Sequence, residues 1–217
     1  MVSTRPQLLK PEGGPGRPYS LDGRPLVGVT SVIHEVLRAP QLEEWFKRTG
    51  MAANEIRDEA GRFGTSIHAA MAAHVGSRKL MRLELPASWW LTVEAGQRWI
   101  EQNVAEVYAA EESIASSKYG YAGTPDLYCR RVNHTRPCLV DYKTTGALYW
   151  GHRAQLAAYR QAVKETYGDR GVERVVLRFS KDEPGRIYEH PLDNPDKDFA
   201  LFGYLLGAYH IIKGGVT

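Results

Sequence analysis

The chain has 217 residues, 43% of them hydrophobic and 24% charged, which is ordinary for a globular protein long enough to bury a sizeable core. A net charge of +3 does not by itself mark a nucleic-acid binder, yet it leaves room for a local basic groove where acids gather at one site. Two cysteines exclude a four-cysteine iron–sulfur cluster; no apolar run approaches a membrane span, and residues 1–16 lack the apolar core of a signal peptide, so a cytoplasmic protein is expected.

Residues 1–18 read as a loose arm, with Pro6, Pro11, Pro15 and Pro18 among glycines. Asp22-Gly23 predicts a hairpin turn within Tyr19–Arg24. Thr30 or Ser31 is suited to cap a short helix through Arg38, which Pro40 would stop. Gln41–Thr49 and Met51–His74 have helical periodicity, and Pro86 opens a helix to about Gln102 that carries Trp89, Trp90 and Trp99. The character then changes. Glu111–Ser117, Ala122–Arg131 and Cys138–Lys143 read as successive strands, with a turn from Arg131 to Pro137. Cys129 and Cys138 would flank that hairpin as a reduced, buried pair. Ala154–Tyr167 is a predicted helix, Val172–Ser180 a strand, Arg186–His190 a shorter strand and Asp196–Lys213 a closing helix. Helices first, then a small sheet flanked by helices, predict an α/β or α+β architecture.

The chemistry concentrates in two segments, Gly123-Thr124-Pro125-Asp126 and, fifteen residues after that aspartate, Asp141-Tyr142-Lys143. Strand side chains alternate, so Asp141 and Lys143 share a face and Tyr142 points away. An antiparallel hairpin would bring Asp126 near that face. Two carboxylates there can hold a hard cation, with Lys143 beside a phosphate. A lone Asp-x-Lys pair is more often an ordinary solvated pair. Here the charges bound the apolar runs Leu127-Tyr128-Cys129 and Cys138-Leu139-Val140, where an unpaired charge is costly.

Asp126, Asp141-Tyr142-Lys143-Thr144 and Gln155-Leu156-Ala157-Ala158-Tyr159 follow in this order. Gly64-Thr65-Ser66-Ile67-His68 lies upstream, and Tyr119-Gly120-Tyr121-Ala122-Gly123 precedes the first acid. Together, over roughly residues 19–165, these resemble the RecB-like exonuclease branch of the PD-(D/E)XK nuclease superfamily, including free-standing phage and bacterial exonucleases and the mitochondrial genome-maintenance exonuclease.

The resemblance implies a restriction-endonuclease-like α/β core, with a small central mixed sheet flanked by helices and an N-terminal helical region. It implies a flexible arm over residues 1–18 and one nuclease domain over 19–217, helical through 105 and with the sheet core from 106 onward. The cofactor expected is Mg²⁺ or Mn²⁺, without an iron–sulfur cluster. His68, Glu111, Asp126, Asp141 and the Tyr142 carbonyl are the implied metal ligands, Glu112 being the alternative to Glu111. Lys143 would stabilise the transition state. Gln155 and Tyr159, four residues apart on one helical face, would hold the lysine strand and contact DNA. Gly64, Lys118, Tyr121, Tyr149 and Arg153 are the implied nucleic-acid contacts.

The expected activity is a metal-dependent DNA exonuclease acting on single strands or DNA ends in replication, recombination or repair, in a bacterial or phage-infected host cell. Proteins of recombination or replication are candidate partners. A structure-specific endonuclease and a DNA-binding protein with a vestigial nuclease site are the alternatives. No Walker A sequence is present, so no ATP-driven motor is expected within the chain.

Overall fold

The computed structural model describes residues 8–9, 19–37, 52–76 and 85–214. Strands β1 (Leu8–Leu9), β2 (Tyr19–Leu21) and β3 (Arg24–Gly28) lead into helix α1 (Val29–Val36). Helices α2 (Ala52–Val75) and α3 (Ala87–Asn103) follow, then strands β4 (Val104–Ala110), β5 (Ile114–Ser116), β6 (Tyr121–Gly123), β7 (Leu127–Arg131) and β8 (Pro137–Lys143). Helix α4 (Trp150–Tyr167), strands β9 (Glu173–Phe179) and β10 (Ile187–Pro191) and helix α5 (Pro195–Gly214) are the last of the described elements. The fold is mixed α/β, and the described residues form two five-stranded sheets in the orders β1-β2-β3-β6-β5 and β10-β9-β8-β7-β4. Each sheet has one parallel pair, β3 with β6 and β8 with β9, and is otherwise antiparallel.

Strand β8 is central, and helices cover both faces of its sheet. Leu139 packs with Leu156 and Tyr159 of α4 and Phe202 of α5. Cys138, Val140 and Tyr142 turn the other way, onto Phe63, Ile67 and Met71 of α2 and Trp99 of α3. A strand buried on both faces reads as a continuous apolar run, and Cys138-Leu139-Val140 has that character. Cys129 and Cys138 are opposite each other in the register, both buried and both free thiols. Asp22 and Gly23 both have positive φ, 50° and 79°, as a two-residue type I′ hairpin loop between paired Leu21 and Arg24 requires.

The elements depart from the sequence expectation at five places. The predicted strand Ala122–Arg131 is two strands in different sheets, because Thr124-Pro125-Asp126 interrupts it and Pro125 has no N–H for a ladder. The predicted Glu111–Ser117 strand shrinks to β5, and the edge strand β4 precedes it. β4 is mostly exposed and has register shifts along its pairing, so it lacks the alternation of a half-buried strand. Helix α1 starts at Val29, one residue before Thr30, with extended Gly28 at its N-cap and no side-chain cap. Helix α4 starts at Trp150 rather than Ala154, and Tyr149 N–H donates to His152 Nδ1 at 3.3 Å across its first turn. Leu8–Leu9 of the expected arm is strand, paired with Leu21 and Ser20. The rest of the arm, and the predicted helix over Gln41–Thr49, lie outside the described residues. No helix among the described residues is long and apolar enough to cross a membrane.

Candidate active site

The break between β6 and β7 sets Asp126 at the junction of the two sheets. Three contacts fasten it. Its Oδ1 lies 3.0 Å from His68 Nδ1, its Oδ2 accepts the N–H of Tyr142, and its carbonyl accepts the N–H of Glu111 at 3.2 Å. Glu111 has a φ of +52°, uncommon for a residue with a side chain. Strain of that kind persists where the surrounding structure holds it, often beside a functional site. His68, Glu111 and Asp126 each offer a ligand atom, and these atoms all lie within 4.8 Å of one another. One imidazole with two carboxylates suits Mn²⁺ well and Mg²⁺ acceptably. Glu112 instead borders a small recess with Tyr128, Val163 and Tyr167.

Strand β8 brings the second half of the site. Asp141 is buried, with Lys143 Nζ 2.6 Å from its Oδ2 and Gln155 Nε2 donating to its Oδ1 at 2.9 Å. Gln155 Nε2 also donates to Tyr159 Oη at 3.2 Å. Tyr159 is buried directly over Gly123, where an added Cβ would lie 2.3 Å from its Cε1. Gly123 therefore has no side chain because Tyr159 occupies that space. Gly64 lets α2 approach the strand end, since a Cβ there would meet Thr144 Oγ1 at 3.1 Å. Thr124 Oγ1 joins the loop to its neighbours through Tyr19 Oη at 3.1 Å and Ser113 Oγ at 3.0 Å.

The electrostatics favour added positive charge. Burial pushes the Asp141 carboxyl up to about 6, with Asp126 adding to the rise and Lys143 opposing it. Burial alone would lower His68, but the hydrogen bond and charge of Asp126, with the charge of Asp141, raise it overall. Lys143 behaves likewise: burial lowers it, and Asp141 and Asp126 outweigh that. The same two carboxylates that raise His68 and Lys143 would also favour a bound cation.

The structure thus brings together His68, Glu111, Asp126, Asp141, Lys143, Gln155 and Tyr159. Tyr142 contributes its backbone N–H to Asp126, and its side chain is buried on the opposite face. Tyr149 is exposed at the start of the helix that carries Gln155. Three expected nucleic-acid contacts are engaged within the protein. Tyr121 is fully buried, with its hydroxyl donating to the Ala158 carbonyl at 2.9 Å, so it has no surface for a base. Lys118 donates its backbone N–H to Glu165, which lies ten residues beyond Gln155, about 15 Å along α4 at the helical rise. Arg153 is taken up by Asp198 at 3.0 Å and Asp193 at 2.7 Å. Arg178, which no sequence motif marks, stands beside Lys143 by strand register.

No protein-family model matches the sequence. The curated proteins contain no match to it. Solved structures do resemble it. A protein from Eubacterium rectale, whose name proposes it as an exonuclease, superposes with a TM-score of 0.55 at 11% identity, over 88% of this chain and 83% of that one. The protein SSO0001 matches with a TM-score of 0.44 at 18% identity, over 88% of this chain and 77% of that one. At these identities the first likeness establishes a shared α/β fold.

Proposed function

We propose that the protein is a metal-dependent DNA exonuclease of the RecB-like branch of the PD-(D/E)XK superfamily, with residues 19–217 acting as one nuclease domain. The observation that carries this reading is the meeting of two clusters. His68, Glu111 and Asp126 converge within 4.8 Å, and the adjoining strand supplies Asp141, Lys143 and Gln155 in contact. The fold shared with a protein named as an exonuclease supports it. His68, Glu111, Asp126 and Asp141 would hold a divalent cation, which when bound would supply an activated water and neutralise phosphate charge.

The chain's own groups do the rest. Lys143, held by Asp141, presents a fixed positive charge where charge develops on the phosphate. Gln155 holds the other oxygen of Asp141, and the buried Tyr159 hydroxyl holds Gln155, so the acid keeps one orientation. Asp126 fixes the His68 ring through Nδ1, the support that orients a ligating imidazole. Tyr149 and Trp150 expose broad apolar rings at the start of the helix that carries Gln155, suited to stacking bases of a single strand.

The test is cleavage of linear single-stranded, linear duplex and circular single-stranded DNA in Mg²⁺ or Mn²⁺, with a chelator control. Metal-dependent loss of linear single strands with the circle intact is expected. Rapid cutting of the circle would replace the exonuclease with an endonuclease. Binding without metal-dependent cleavage of any substrate would make this a DNA-binding protein with a vestigial site.

A further inference from the structure

Arg178 stands apart from the other arginines packed around this sheet. Arg174 pairs with Asp198 at 2.9 Å, Arg131 with Glu189 at 2.7 Å, and Arg153 with two aspartates. Arg178 has no carboxylate partner among the described residues, and its Nε is buried without a hydrogen-bond acceptor. Leaving part of a guanidinium buried and unmatched is unfavourable, unless an anion completes it.

Its location says which anion. Arg178 is the register partner of Lys143 in the parallel pair β8/β9, two residues beyond the Asp141–Val176 pair and on its face. Paired residues on neighbouring strands project to the same face, with the strands about 4.8 Å apart. Both residues lie near the carboxyl ends of parallel strands, where ligands of α/β sheets bind. The guanidinium rests on Tyr188, its cross-strand partner in β10, with Cζ 4.1 Å from the ring centroid. The Tyr188 hydroxyl is held in turn by Glu183, at 3.0 and 3.1 Å. The plane of the fork is therefore set before any ligand arrives, and a planar fork suits the oxygens of a phosphate.

We propose that Arg178, stacked on Tyr188 beside Lys143, binds the DNA phosphate next to the scissile one and so sets the path of the strand across β9. This inference rests on the nuclease reading. Arg178 fills the role that the sequence suggested for Arg153.

The experiment measures binding of a labelled single-stranded oligonucleotide across a salt series, with Ca²⁺ in place of the catalytic ion, for wild type, Arg178→Gln and Arg178→Lys. Steady-state cleavage and melting curves accompany it. Arg178→Gln keeps a stem to pack on Tyr188. It is expected to bind about tenfold or more weakly, because a charge-assisted bond is lost. Its log K against log salt should be shallower by about 0.7, the share of one phosphate on a single strand. KM should rise with kcat nearly unchanged. Arg178→Lys should keep the wild-type salt slope but not the wild-type KM, because its ammonium is a point charge without the fork. Wild-type affinity and slope in Arg178→Gln, or wild-type KM in Arg178→Lys, would overturn the inference while the enzyme still cleaves. A wild-type protein that neither binds nor cleaves DNA would overturn the nuclease reading and this inference with it.

Discussion

Replacing Gly123 by alanine tests how the site is assembled. The new Cβ would lie 2.3 Å from Tyr159 Cε1 and 3.2 Å from its hydroxyl oxygen. Tyr159 is buried and cannot swing into solvent, so either its ring or β6 must shift. Overpacking of this kind costs about 1–3 kcal/mol, which corresponds to a fall of about 2–12 °C in the melting midpoint for a chain this long. The displacement is transmitted through Gln155, whose Nε2 bonds both Tyr159 Oη and Asp141 Oδ1. Losing a hydrogen bond to a charged group costs about 1.5–3 kcal/mol. If that bond matters only in the transition state, cleavage slows about 10- to 150-fold. The assays are thermal unfolding and single-turnover cleavage of linear single-stranded DNA. Tyr159→Leu in the same chain should restore stability but not cleavage, because it makes room without supplying a hydroxyl. A Gly123→Ala protein that melts and cleaves like the wild type would refute this chain of contacts.

Three further outcomes are expected. Asp126→Asn and Asp141→Asn should each reduce cleavage by about a hundredfold or more while single-stranded DNA is still bound in Ca²⁺. Lys143→Ala should do the same at an added cost in stability, since it leaves the Asp141 carboxylate buried without its ion pair. Near-normal turnover in any of the three would contradict the assignment. Arg174→Ala removes one of the two arginines that pair with buried Asp198 and hold α5 in place, Arg153 being the other. Because Arg153 remains, the cost should not exceed about 3 kcal/mol, the low end for a broken buried pair, and the midpoint should fall by up to about 6–12 °C; an unchanged melting curve would show that the pair contributes nothing. Burial pushes the Cys129 thiol up to about 12 and raises Cys138 as well. Neither should react with a thiol reagent at pH 8 until the protein is denatured, and rapid labelling of native protein would contradict their burial.

What the sequence made legible follows from where the information is local. β7, β8 and β9 are apolar runs between charges and turn residues, so their existence and the opposition of Cys129 to Cys138 could be read directly. β4 could not, because an exposed, bulged edge strand has no alternation to detect. Asp126, Asp141 and Lys143 follow from hairpin geometry. His68, Glu111 and Gln155 became candidates through resemblance alone, since an imidazole on a helix or an acid in a loop has no periodic signature. Tyr121 and Arg153 became candidates because they neighbour the motifs in sequence, and their packing and pairing could not be read there. Tyr121 faces the core, and the aspartates that take Arg153 lie 40 and 45 residues downstream. Arg178 was hidden for the converse reason: Leu177-Arg178-Phe179 is an unremarkable strand segment, and only the pairing of β8 with β9 sets it beside Lys143.

On the nuclease reading, His68, Glu111 and Asp126 form the core of a cation site. Titration of Mn²⁺ into DNA-free protein, read by the electron paramagnetic resonance of the free ion, tests it most directly. Wild type should take up Mn²⁺ saturably, His68→Ala should weaken uptake, and Asp126→Asn, which removes a ligand charge and the His68 support together, should abolish it. Equal Mn²⁺ uptake by wild type and Asp126→Asn would contradict the account.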